Sequence, residues 1–121
     1  MKQVPENPPL PLYEANQIIT AAENFWGLEV GSIRGRSRKF HIVWPRFTVC
    51  SILRRKGYTY TAIGEVLNRD HGAAHNAVSQ FDAITSYNPK YREQAVQFDR
   101  YLWKKVTANS REGYRSVAVN R

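Results

Sequence analysis

Apolar residues recur at helical spacing along most of the chain and alternate nowhere long enough for a paired strand, a pattern that predicts an all-α domain. Residues 1–12 hold Pro5, Pro8, Pro9 and Pro11. Proline fixes φ and removes a donor, so this stretch reads as an extended leader. From Tyr13 onward Ala15, Ile18, Ile19, Ala22, Phe25 and Trp26 fall on one side of a first helix, which Gly27 stops. Leu28, Val30 and Ile33 suggest a short helical turn over 28–34, whereas "GRSRKFHIVW" (35–44) has no clean period and reads as a basic loop. Pro45 is suited to open a second helix, since its missing N–H is an orphan in the first turn, and Val49, Cys50, Ile52 and Leu53 supply the buried stripe up to Gly57.

Ala62, Ile63, Val66 and Leu67 make a helix of little more than two turns. "NRD" follows, and a longer helix is expected from His71, with Ala74, Val78, Phe81 and Thr85 inward and Ala77 and Ile84 flanking them. Asn88-Pro89 breaks it. The last helix is expected over 90–106, burying Tyr91, Ala95, Phe98 and Leu102 with Trp103 at the border, and residues 108–121 read as a flexible tail. The domain proper is thus placed at 13–107.

Charge changes this picture most. The formal net charge is +8, yet residues 34–56 alone hold eight basic side chains and no acidic one, while the rest of the chain balances ten against ten. The excess in one block is what a polyanion-binding surface needs. No run of apolar residues spans a membrane and no apolar signal segment opens the chain, so a cytoplasmic protein is expected, and the charge alone leaves nucleic acid, an acidic protein partner or a membrane surface as what the basic block meets. The single cysteine, Cys50, lies in an apolar-periodic stretch and reads as a small buried hydrophobe.

The short helix, three-residue connection and longer helix have the proportions of a helix-turn-helix. With Val78 taken as the buried centre and ~100° per residue, Gly72, Ala73, Asn76 and Gln80 lie on the outer face, small and neutral enough for a major groove. Asp70 is placed to cap the helix and could also accept from a cytosine amino group; His71 could donate to a base, and Arg69 suits a phosphate or guanine. His71 and His75 stand at i and i+4, but "HGAAH" lacks the glutamate of a zinc hydrolase and has no third ligand. An Asp70–His71 dyad lacks a nucleophile, and no Gly-rich phosphate loop is present. No enzymatic activity and no cofactor are expected.

Two stretches, "GRSRKFHIVWPR" (35–46) and "IGEVLNRDHGAAHNAV" (63–78), resemble the C-terminal DNA-binding domain of the bacterial replication initiator DnaA, with a looser likeness over about 16–105. The resemblance implies a recognition helix in the major groove of double-stranded DNA and a basic loop in the adjacent minor groove. It places Arg38 in the minor groove with Arg36 as an additional basic-loop residue, Arg46 and Arg54 on phosphates, and Asp70 and His71 on bases, accompanied by Arg69; Lys39, from the basic block itself, is expected beside them on the DNA. Gly72, Ala73 and Asn76 complete the expected DNA-facing set. The sequence departs from the family where two threonines become Gly72 and Ala73, where a double glycine becomes Asn68, and at Asn76, Phe40 and Phe47. The expected function is sequence-specific DNA binding by a stand-alone module, phage or mobile-element encoded, without an ATPase, regulating transcription or replication, with a monomer preferred to a dimer. The alternative is a protein-interaction module in which the basic patch and the last amphipathic helix bind an acidic partner.

Overall fold

The computed structural model describes the backbone of residues 12–114 and the side chains of 14–105. Five helices follow one another: α1 (Leu12–Trp26), α2 (Phe40–Arg55), α3 (Tyr60–Leu67), α4 (His71–Tyr87) and α5 (Pro89–Tyr114). Among the described residues there is no strand, as the periodicity predicts. Of the proline-rich leader only Leu12 is described, and residues 115–121 of the expected tail lie outside the described residues. The last helix runs past the expected end near 106, its backbone remaining helical to Tyr114. Extending a formed helix adds one hydrogen bond per residue fixed, so an apolar stripe is not required.

α2 begins at Phe40, five residues before Pro45, so "FHIVW" is helix and not loop. The physical reason lies far away in sequence. Trp44 is buried, stacks on Phe81 of α4 at 5.4 Å and 7°, and meets Tyr91 of α5 at 4.9 Å. Burying a large aromatic contributes about 2–3 kcal/mol, enough to offset one backbone hydrogen bond forgone at Pro45 so near the helix start.

The core gathers Ile18, Ile19 and Ala22 of α1, Val49, Cys50 and Leu53 of α2, Ile63 and Leu67 of α3, Ala74 and Ala77 of α4, and Phe98 of α5. In α4 the deeply buried positions are Ala74, Ala77 and Ile84, whereas Val78 and Phe81, expected at the centre, are half-buried. Small alanines let α4 approach α2 and α3 closely, and this pushes the larger side chains to the edge of the contact. Segment 28–35 forms turns, not a helix, with Ser32 donating to the Glu29 carbonyl and Gly35 to that of Ser32. Glu23 of α1 pins it, its Oε2 accepting from Gly31 N at 2.9 Å and Ile33 N at 3.3 Å, while Ile33 is buried in the core. The loop that follows therefore leaves the core from a fixed point.

Candidate nucleic-acid interface

The turn between α3 and α4 is set by local chemistry. Thr59 caps α3, its side chain accepting from Ala62 N at 3.0 Å. Asn68 ends that helix in the left-handed conformation (φ 61°, ψ 46°), which asparagine tolerates better than most residues. Arg69 N then donates back to the Gly64 carbonyl at 2.7 Å. This closure leaves no room at Gly64, where a Cβ would lie 2.3 Å from the Arg69 carbonyl oxygen and 3.1 Å from that of Asp70. Asp70 caps α4 as expected, its Oδ1 accepting from Ala73 N at 2.8 Å.

Beyond the cap, His71, Gly72, Ala73 and Asn76 are all exposed, and Gln80 continues the same outer face. No acidic residue follows Asp70 on α4 until Asp82. Gly72 is not demanded by the fold, because a Cβ there would meet only Asp70 Oδ1, at an ordinary 3.5 Å. His75 is turned along the helix side, its ring edge-on to Tyr60 at 4.9 Å, and among the described residues no group of three or more His, Cys, Asp or Glu could hold a metal ion.

The basic side chains divide into two kinds. Arg36, Arg38 and Lys39 are exposed and their side chains make no hydrogen bond or ion pair among the described residues. Arg46 differs from the expected phosphate ligand: only 6% exposed, it donates through Nε to the Ile33 carbonyl (2.8 Å), through Nη1 to Ser37 (3.0 Å), and through Nη2 to Ser32 (3.3 Å) and Gly35 (3.2 Å). Burial, and secondarily the charge of Arg69, pull its guanidinium down to about 10. Arg69, half-buried, donates to the carbonyls of Leu67 (2.7 Å), Arg34 (3.5 Å) and Gly35. Its pKa is lowered by burial, with a smaller effect from Arg36. Arg54 stands apart at the end of α2, over the Tyr60 ring at 4.1 Å and bonded to the Tyr58 carbonyl at 3.1 Å.

Arg34, which the sequence offered only as part of the charge excess, lies at the junction. Its Nε donates to the Val66 carbonyl at the end of α3 (2.9 Å) and its Nη2 to Asn16 Oδ1. No periodicity marks such a residue. Phe47 and Cys50, with Gly64, Arg69, Ala73 and Asn76, line a cavity of about 180 Å³ between α2 and the start of α4. Burial pushes the Cys50 thiol up to about 12, so it is inert as a nucleophile at neutral pH.

A two-turn helix, a three-residue turn and an exposed second helix, joined to an exposed basic loop, define the helix-turn-helix class of DNA-binding domain. Comparison with family models agrees: the bacterial dnaA protein helix-turn-helix family matches residues 15–80. The chain belongs to that family, and as a member it is a DNA-binding domain. A search of curated proteins gives no match. Among the described residues no helix is long and apolar enough to cross a membrane.

Proposed function

We propose that the protein reads double-stranded DNA in a sequence-specific manner, α4 entering the major groove by its N-terminal turns while loop 35–39 reaches the adjacent minor groove. The observation that carries this reading is the joining of the exposed, largely uncharged start of α4 to the loop of free cations through Arg69. Arg38 enters the minor groove, and Arg36 and Lys39 neutralise phosphates beside it. Asp70, His71, Gly72, Ala73 and Asn76 face base edges. Asn76 suits an adenine, His71 a base acceptor, and Ala73 a thymine methyl. Arg54 flanks the site as a phosphate ligand. Arg46 and Arg69 act from beneath, holding the loop.

Such binding would serve the control of transcription or replication, without catalysis. The competing assignment, a docking stripe along α5 for an acidic protein, is weakened because Tyr91 packs against Trp44 and Phe40, and because Arg55 and Lys56 are already paired with Asp99 (3.3 Å) and Glu14 (2.8 Å). Selection of binding sites from random duplex DNA at about 150 mM salt tests the proposal. An enriched motif with an A·T-rich segment beside a base-specific one is the expected result; binding without any enriched motif would contradict sequence-specific reading.

A further inference from the structure

The arginines beneath the loop are bonded to backbone carbonyls rather than to carboxylates. The described ion pairs, Arg55–Asp99 and Lys56–Glu14, lie elsewhere. A carboxylate would have held the loop equally well and cancelled the field that draws phosphate; carbonyls hold it and leave the charge in place. The bonds run in both directions across one seam. From the α3–α4 turn, Arg69 reaches the Arg34 and Gly35 carbonyls, and from the loop, Arg34 reaches the Val66 carbonyl at the end of α3. From α2, Arg46 grips the same Gly35 carbonyl together with those of Ser32, Ile33 and Ser37. Gly35 is thus held by two guanidiniums, and the residues that follow carry the unpaired side chains of Arg36, Arg38 and Lys39 around Ser37, whose carbonyl Arg46 also holds.

Arg69 is itself fixed at both ends. Its main-chain N–H is bonded to Gly64, and one residue later Asp70 begins the cap of α4. A planar fork on two successive carbonyls transmits position in a way that a single ammonium donor on a flexible stem does not. We propose that Arg69 is a positioning residue that locks loop 35–39 and the start of α4 into one register, so that the spacing between minor-groove and major-groove contacts on DNA is set inside the protein by the Arg69–Gly35 latch. The inference rests on the function proposed above and adds a source of specificity that touches no base.

The test uses the whole chain as wild type, Arg69→Lys, Arg69→Ala and Arg34→Ala. Each is titrated against the selected duplex, against duplexes with one base pair inserted or removed between the two parts of the motif, and against random duplex. Wild type is expected to disfavour altered spacing on the order of tenfold, as for a mismatched base pair. In the two Arg69 variants that ratio should fall toward one, with affinity for random duplex kept within about twofold for the charge-conserving Arg69→Lys. Arg34→Ala, which cuts the reciprocal bond, should flatten it similarly. Amide hydrogen exchange of the free proteins gives a DNA-independent readout: faster exchange confined to 35–39, with α1 and α5 unchanged. A wild-type spacing ratio retained by Arg69→Lys and Arg34→Ala would overturn the inference while leaving the DNA-reading proposal intact. A wild type with no preferred sequence would instead remove that proposal, and unchanged loop exchange in the variants would overturn the latch independently. Should Arg69→Ala fail to fold, Arg69→Lys and Arg34→Ala decide.

Discussion

The two ends of the molecule are held by different physics. Where α1 meets α5, Phe98 is fully buried among Phe25 (5.3 Å between ring centroids), Trp26 (4.9 Å) and Tyr101 (6.2 Å). Where the loop meets the helix-turn-helix, the fixing contacts are guanidinium N–H groups on carbonyl oxygens. Aromatic packing is strong but weakly directional, and it tolerates small shifts. Hydrogen bonds weaken steeply as their angle departs from linear, so they fix where a backbone sits even though each contributes only about 1 kcal/mol net. One end supplies stability and the other supplies position. Gln94 of α5 links the α1–α5 packing to α2, its Oε1 accepting from the indole N–H of both Trp26 (3.2 Å) and Trp44 (3.1 Å).

Substitutions at the two ends should therefore separate stability from recognition. Phe98→Ala should have the largest effect on folding, about 3–5 kcal/mol in denaturant unfolding, with unchanged site preference in whatever fraction remains folded. Altered preference in that variant would break the division. Gly64→Ala comes next: its Cβ meets backbone, not a flexible side-chain end, so about 3 kcal/mol of stability should be lost. Because the clash falls on the Arg69 and Asp70 carbonyls, base discrimination should suffer as well, which a competition assay between selected and random duplexes would read. Gly72→Ala should act in the opposite sense and most weakly. Lower backbone entropy in the unfolded chain and open space in the folded one should raise stability by about 0.5–1 kcal/mol, while the added methyl on the DNA-facing turn lowers affinity. A stabilised variant with undiminished binding would place Gly72 outside the contact.

What the sequence revealed and what it concealed follow the same division. The turn between α3 and α4 was legible because its determinants are local: Asp70 caps the helix that starts one residue later, and period 3.6 puts Gly72, Ala73 and Asn76 outside. The start of α2 was not, because the local rule for Pro45 competes with a stack between Trp44 and Phe81, distant in sequence. The free cations of the loop and the buried ones beneath it look alike in a sequence, where an arginine is one positive charge. Only the path of the loop, pinned by Ile33 and Glu23, determines that Arg46 points inward and Arg38 does not. Gly64 lies in the stretch 63–78 that resembles the family, but its reason, a carbonyl 2.3 Å from where a Cβ would stand, is a property of the closed turn.

The most direct test of the central claim, that the loop and the start of α4 form one DNA-reading surface, is a double-mutant cycle. Affinities of wild type, Arg38→Ala, His71→Ala and the double variant are measured on the selected duplex and on a scrambled control. Each single change should reduce discrimination between the two duplexes, on the order of 1–3 kcal/mol for His71→Ala, and the two losses should be coupled on the selected site alone. Equal losses on both duplexes, or no loss from either change, would contradict it.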